Sequence, residues 1–455
     1  MPYPRAVLSI DAYGDTLYAQ VMRTPFPTNG PYPPCPFPLA PEHLAVLTQQ
    51  NAVLARGAAV RNALRSHQGI CEVLDAMNTL PLNDIRPLFI MLDDASSQRI
   101  NWEMLCNTSD QFVALDSRWP IGRIVNQTSA YPIPPSELVT PVRIMVVLSA
   151  LGIDDQENEW TALRDAVIQG RKIGLEISVN ILVGRKDLYD SIRAEVAAGL
   201  ADVNVEAMPS NASDLTQAIR NWSPHILHFF CHGLSDSNGQ QLELATSADH
   251  TRHDADPLAV PHGSVTVTTQ HLTKLGMTLK NPWLMVLNCC SSGKATQTAP
   301  SMAAKVCAAG IPAVVAMMEP VTSADAYRFT RAFYPETLVS ILQARTDLNT
   351  QASTTLELAP IMYYVRDAIA QSRAGNLPNS PHWSLPVLYV RSVDAQLFVR
   401  PLAADNAVRL RTTAQLLIAT GAKIPPELAD EIVNKILDDI PQDQRPNAQG
   451  GFTHG

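Results

Sequence analysis

The residues of this 455-residue chain that could do covalent chemistry sit at the ends of two apolar runs. The first is His225 to Gly233, HILHFFCHG, which closes on His232-Gly233. The second is Pro282 to Gly293, PWLMVLNCCSSG, where Trp283 to Leu287 lead into Asn288, Cys289 and Cys290. A short apolar run bounded by small polar residues reads as a buried strand. Both runs would carry their terminal groups to the carboxyl edge of a sheet, where open α/β sheets bind ligands. A Cys with a separate upstream His has the composition of a nucleophile and its base. A thiol has a reference pKa near 8.5; a neighbouring imidazole raises its thiolate fraction and later protonates a leaving amine. Gly233 follows the His, so a backbone N–H can approach a reacting carbonyl there, and the Cys290 N–H is the natural second oxyanion donor. Ser291, Ser292 and Gly293 leave room for a peptide backbone.

Two ambiguities belong to the pattern. Adjacent strand residues face opposite ways, so Cys289 and Cys290 cannot both face the His, and register alone does not choose between them. His228 alternates with His232 on one strand, and one of the two can be a satisfied core histidine. Cys231 points away from His232 and reads as packing, the commoner fate of a Cys at a strand end. Asp236 and Asn238 are placed to orient a substrate or an ion, although such loop residues are also ordinary turn formers.

The surrounding elements give these residues a frame. Ala6–Ile10 and Thr16–Met22 flank Tyr13-Gly14-Asp15 and predict a hairpin. Pro25 to Pro41 holds eight prolines and can be neither helix nor central strand. Residues 42–80 are expected to be mostly helical, with breaks at Gly57 or Gly69. Residues 87–94 read as a strand ending in two carboxylates, and 100–106 as a short helix carrying Trp102. Residues 112–116 and 122–125 read as short strands, and 131–141 as a linker. From Arg143 the chain alternates regularly. Strands are expected near 144–148, 175–182, 203–208, 311–318 and 383–390. Helices are expected near 159–173, 187–200, 213–222, 269–279, 301–309, 323–343 and 356–372. Ser213 or Asp214 is the expected cap of the third helix, and Ser323 that of the helix starting there. Alternation of this kind implies a mostly parallel sheet with right-handed crossovers and helices on both faces. Residues 234–264 read as a long polar loop, a candidate for a gating or self-cleaved element or an inert insertion. An edge strand near 396–399, two helices over 405–440 and a disordered tail, 441–455, complete the chain.

Composition narrows the function. A net charge of −9 with no basic run argues against nucleic acid as a direct partner. No window reaches the roughly 18 apolar residues of a membrane span, and no signal peptide is evident. Seven Cys, two of them adjacent, make a poor disulfide framework and fit a reducing cytoplasm. No C-x-x-C pair or phosphate-binding glycine loop occurs, so neither a metal nor another cofactor is expected. Internal repeats of the recruitment type are absent.

The two runs together resemble the CHAT family, the caspase-like peptidases of the clan that includes caspases, metacaspases and separase. Leu227-His-Phe-Phe-Cys-His232-Gly233 resembles that family's strand ending in His-Gly. Val286-Leu-Asn-Cys-Cys290-Ser-Ser-Gly293 resembles its Cys strand, and the His precedes the Cys by 58 residues, near the caspase spacing of roughly fifty. The stretches 102–105, 112–123, 308–316, 320–321, 329–334 and 383–389 resemble further family segments, so the likeness covers about residues 85–392. The resemblance implies an α/β, caspase-like, mostly parallel sheet with helices on both faces. It divides the chain into an N-terminal α/β region with a pseudo-caspase-like half (1–135), a peptidase domain (142–393), a C-terminal helical extension (394–440) and the tail (441–455). It implies a cysteine endopeptidase with a dyad of His232 and Cys290, favouring Cys290 over Cys289. Asn288 stands where metacaspase-like relatives place an Asp that binds a basic P1 side chain, and Ser323 where many relatives carry Asp. Asn288, Asp236 and Glu319 are the candidate substrate-binding residues, with Asp325 a further nearby acid. Partners implied by the resemblance are a protein substrate, gasdermin-like or CRISPR-associated, within a bacterial defence or cell-death circuit, and a separate sensor or activator. The competing reading is a non-catalytic caspase-like scaffold.

Overall fold

In the computed structural model, the described residues are 3–45, 51–92, 95–125, 136–153, 155–236, 239–258, 260, 262–289, 301–351, 353–372, 376–391 and 398–401. The N-terminal strands are β1 (Ala6–Tyr13), β2 (Thr16–Arg23), β3 (Cys35–Pro36), β4 (Leu88–Leu92), β5 (Ile121–Val125) and β6 (Ser136–Leu138). The alternating region contributes β7 (Val142–Ser149), β8 (Ile177–Val183), β9 (Val203–Ala207), β10 (Ile226–Asp236), β11 (Gly239–Leu244), β12 (Val265–Thr268), β13 (Leu284–Cys289) and β14 (Ala313–Met317). Last come β15 (Thr354–Thr355), β16 (Pro386–Val390) and β17 (Phe398–Pro401).

One sheet joins most of these in the spatial order β3-β2-β1-β4-β5-β16-β14-β13-β10-β7-β8-β9, with β11 and β12 extending from β10. From β14 to β9 every neighbouring pair is parallel. β16 runs antiparallel to β14 and parallel to β5, which ties the N-terminal strands into the same sheet. The apolar runs of β7, β10, β13 and β14 are continuous rather than alternating because both faces are covered, as parallel sheets require. Helices Gln156–Lys172, Ser323–Asp347 and Ala359–Gln371 pack on one face. Helices Ala212–Trp222, Thr269–Thr278 and Met302–Ala309 pack on the other. Among the described residues no helix is long and apolar enough to cross a membrane.

Several expectations are corrected by local physics. Residues 112–116 form a single 3-10 turn, Val113–Leu115, beside an isolated Cys106–Phe112 bridge, because no neighbouring strand is available to pair them. The N-terminal helices break at Arg65–His67 rather than at a glycine. Gly57 lies inside its helix, where a Cβ would stand 2.1 Å from the Met104 carbonyl oxygen, so close packing requires it there. Asn211, not Ser213 or Asp214, caps the helix beginning at Ala212. Thr322, not Ser323, caps the helix beginning at Ser323. The supposed loop 234–264 is largely regular: β10 runs on to Asp236, β11 returns from it, and helix Ser247–Ala255 follows. β17 joins β15 and β6 in a separate small sheet. The two C-terminal helices, the tail, Asp93 and Asp94 lie outside the described residues.

A buried ion pair anchors the junction between the N-terminal strands and the rest. Arg123 on β5 is fully buried, donating to Glu103 Oε1 at 3.0 Å, to the other Glu103 carboxylate oxygen, and to the Gln98 carbonyl at 3.1 Å. Removing Arg123 leaves the buried Glu103 carboxylate with only the more distant Arg366 guanidinium, 3.8 Å away, so the cost is at most the about 3–5 kcal/mol of breaking a buried pair. Arg123→Met should therefore lower the unfolding free energy by up to that amount, seen as a lower urea midpoint at an unchanged denaturant slope in fluorescence-monitored unfolding.

Candidate active site

β10 lies between β7 and β13, and its parallel register sets the site. Cys231 is level with Ser149 on one side and with Cys289 on the other. The next residue along β10 is His232; the residue following Cys289 in the sequence is Cys290, which lies outside the described residues. Strand alternation separates the side chains by face. Cys231 and Cys289 are buried against the Thr269–Thr278 and Met302–Ala309 helices, and neither is in a disulfide. His228 and Asn288 turn to the opposite face, toward helices Gln156–Lys172 and Ser323–Asp347.

His232 is half-buried, and its Nε2 lies 2.6 Å from the carbonyl oxygen of Leu151, just past the end of β7. A carbonyl oxygen can only accept, so Nε2 carries the proton and Nδ1 carries the ring's lone pair. Leu151 belongs to a tight turn, Ala150 to Ile153, in which Ile153 N donates to the Ala150 carbonyl. The third residue, Gly152, has φ +68°, and Leu151 itself has an ordinary negative φ, which is the requirement of a type II turn. In that turn the Leu151–Gly152 peptide is flipped relative to type I, and this sends the Leu151 carbonyl toward His232. The orienting group is thus a backbone carbonyl, which leaves no trace in residue type.

Beneath the strand ends lies a buried polar cluster. Asn288 is 2% exposed. Its Nδ2 donates to Glu159 Oε1 at 2.9 Å, Thr330 Oγ1 at 3.2 Å and the Ala326 carbonyl at 3.3 Å. Thr330 Oγ1 also donates to Glu159 Oε1. His228, fully buried, bridges Tyr334 Oη at 3.0 Å and Glu159 Oε1 at 3.0 Å. Burial, with the Glu159 carboxylate adding to it, holds the Tyr334 phenol well above its ordinary range. Asn288 therefore points into the protein and braces the Cys strand from below. Its place in the sequence, expected at the substrate, becomes a place in the core. His228 is the core histidine, fully buried and bonded through Nδ1 to Tyr334, and His232 the one at the sheet edge.

The remaining candidates divide. Gly233 follows His232 in the antiparallel β10–β11 pair, level with Leu242. Asp236 ends β10 opposite Gly239, and Asn238 lies outside the described residues. Glu319 is exposed, two residues past β14 at the same carboxyl edge. Asp325 is buried and held by Thr322, Arg328 and His382, so it serves its helix start. Two glutamines missed from sequence fasten the helix that follows the Cys segment. Ser301 N donates to Gln98 Oε1 at 3.1 Å, and Met302 N donates to Gln240 Oε1. These bonds satisfy amides that a helix start leaves without intrahelical partners. A signal existed for Ser301, a cap residue before an apolar run, but none for its distant glutamine partners. No group of three or more His, Cys, Asp or Glu that could hold a metal ion occurs among the described residues.

A family model described as "CHAT domain" matches residues 68–345, more than half of the chain. The chain belongs to the CHAT domain family. The match spans both the His strand and the Cys strand and reaches back across β4 and β5 of the N-terminal region. No curated protein matches the chain. Among solved structures, a chain of the Saccharomyces cerevisiae separase–securin complex aligns at 12% identity and TM-score 0.37, over 75% of this chain and 18% of that one. Gingipain R, titled an Arg-specific cysteine proteinase, aligns at 12% identity and TM-score 0.41, over 79% and 71% of the two chains. The complex of Porphyromonas gingivalis RgpB pro- and mature domains aligns at 11% identity and TM-score 0.40, over 78% and 71%. This CHAT chain therefore spans only a small part of the separase chain.

Within the CHAT match, a buried carboxylate ties the helix after the hairpin to the start of β12. Asp249, 1% exposed, accepts from Thr246 N and Oγ1 at 2.8 Å each, Ser264 Oγ at 2.6 Å and Ser264 N at 3.1 Å. Burial alone would raise its pKa; the hydrogen bonds from Ser264 and Thr246 outweigh it and hold the group at about 2. The folded value lies below the unfolded one of about 3.9, so Asp249 stabilises the fold above pH ~4 and loses this effect as pH falls toward 2. Asp249→Asn should melt lower than wild type at pH 7, and the difference should shrink steadily between pH 4 and 2, as followed by thermal unfolding monitored by circular dichroism.

Proposed function

We propose that this CHAT protein is a cysteine endopeptidase in which His232 and Cys290 form the dyad. The observation that carries the reading is the β10–β13 register together with the Leu151 contact. The register ends on Cys231 and Cys289, and the proposed dyad members are the residues that follow each of them in the sequence. The carbonyl contact fixes His232 in the tautomer whose Nδ1 can take a proton.

In this mechanism Nδ1 of His232 accepts the Cys290 thiol proton, and the thiolate attacks the scissile carbonyl carbon. The negative oxygen of the tetrahedral intermediate is met by the Gly233 and Cys290 N–H groups, each worth about 2.7–4 kcal/mol in the transition state. The C–N bond then breaks as the imidazolium hands its proton to the leaving amine, leaving an acyl-enzyme thioester. Water, deprotonated by the same imidazole, releases the acid and restores the thiol. Leu151 holds the ring in place throughout. Glu319 and Asp236 are the candidate substrate-binding acids of this reading, and Asn288 supports the Cys strand from within. The substrate is a protein. On the family resemblance alone, we assign it to a partner in a bacterial defence or cell-death circuit, gasdermin-like or CRISPR-associated.

Intact-mass analysis tests this with wild type, Cys290→Ala, Cys289→Ala and His232→Ala, each given iodoacetamide or a proteome-derived peptide library. Wild type and Cys289→Ala should cut the library, and the other two should lose at least roughly 10³-fold in cleavage rate. Wild type should be alkylated at Cys290 before any other cysteine. Binding of partner proteins by all four without cleavage, and no preferred alkylation of Cys290, would replace the peptidase with a non-catalytic caspase-like scaffold.

A further inference from the structure

We propose that Gln156 is a positioning residue for His232, acting through the turn that presents the Leu151 carbonyl; this rests on the peptidase reading above. Gln156 is the first residue of helix Gln156–Lys172 and is fully buried. Its Nε2 donates to the Ala150 carbonyl at 2.7 Å and to the Ile153 carbonyl at 3.1 Å, and its Oε1 accepts from Ala150 N at 3.3 Å. One side chain therefore grips both ends of the four-residue turn whose second residue supplies the acceptor for His232 Nε2.

The backbone alone holds this turn weakly, by a single Ile153 N to Ala150 O contact of 3.5 Å. Burying a carboxamide is costly unless every polar atom is bonded, and here donor and acceptor ends are both used on the turn. Gly152 supplies the other requirement. Its φ of +68° is open to glycine, and a Cβ there would stand 3.1 Å from His253 Nε2. Ser149 fixes the strand end just before the turn, donating to the Ala245 carbonyl at 2.7 Å and accepting from Ala245 N at 2.6 Å. The Leu151 carbonyl is thus set by Ser149 before it, Gly152 after it and Gln156 across it. Loosening the turn lets the imidazole rotate or exchange tautomers, which removes the lone pair from the nitrogen that must take the thiol proton. It should slow the chemical step while substrate binding is unaffected.

The test compares wild type, Gln156→Met, which keeps the side-chain volume and loses the hydrogen bonds, and Gly152→Ala, which strains the same turn with Gln156 intact. Nitrogen NMR of the His232 ring, assigned by difference against His232→Ala, reads the tautomer. In wild type Nε2 should be the protonated nitrogen; in both variants the signals should move toward a tautomer mixture. On a substrate found in the library experiment, kcat should fall about 100-fold, the penalty of a roughly 1 Å misplacement, with KM within about twofold. A lowered melting temperature with wild-type tautomer and kcat in Gln156→Met would reduce Gln156 to a merely structural residue, and a protonated Nδ1 in wild type would overturn the Leu151 contact itself. If Gln156→Met does not fold, Gly152→Ala decides through the same two readings. A tautomer shift in the variants of a protein that shows no cleavage and no preferred Cys290 alkylation would leave the positioning role standing and reject the peptidase.

Discussion

The parallel pairing of β10 with β13 is the constraint on which the site depends. Its side-chain period is two, so a slip of β10 by one residue would exchange the faces of every residue in that strand. In the observed register Leu227, Phe229 and Cys231 enter one core, and His228, Phe230 and Asn288 enter the other. A slip would bury His232 among aliphatic side chains and push Phe230 toward the Thr269–Thr278 side. The two packed faces thus fix the register by burial alone. A residue that follows the packed region, such as His232, inherits an alignment that it does not itself stabilise.

The same pairing needs support from below, because its central strands end in polar residues. Glu159 gathers donors from Asn288 and Thr330 around one carboxylate oxygen, with His228 Nε2 3.0 Å from the same atom. Such a network fixes the rotation of helices Gln156–Lys172 and Ser323–Asp347 relative to the sheet, since each contributes a member. An aliphatic cluster of equal volume would supply comparable stability with less directional demand. A bonded network allows fewer arrangements than an aliphatic one, which restricts how the strand ends above it can sit.

Legibility followed the kind of signal. β7, β10, β13 and β14 were plain in the sequence because doubly covered strands read as unbroken apolar runs. The hairpin strand β11 was missed although Gln241-Leu242-Glu243-Leu244 alternates with the period of a half-covered strand; its short length and the polar helix after it read together as loop. The position of His232 at the sheet edge was legible from the apolar run that it closes. The inward turn of Asn288 was not, because a strand end looks the same whether its last side chain meets substrate or core. Leu151 and Gln156 were illegible for a deeper reason. A backbone carbonyl has no side-chain identity, and the glutamine that holds it resembles any polar residue at a helix start.

The choice of a carbonyl to orient His232 bears on the nucleophile. In Ser-His-Asp triads a buried carboxylate holds the imidazole and also stabilises the imidazolium that forms when the hydroxyl is deprotonated. A carbonyl holds the ring as firmly, but its partial charge stabilises the imidazolium less. A hydroxyl, whose proton is lost far less readily than a thiol's, would feel that difference fully in its transition state. A thiol with a reference pKa near 8.5 needs much less help. An imidazole held by the Leu151 carbonyl is therefore matched to a sulfur nucleophile rather than an oxygen one. By this argument, replacing the dyad Cys by Ser in the proposed site would leave a residue of nearly the same shape beside a base too weakly supported to activate it.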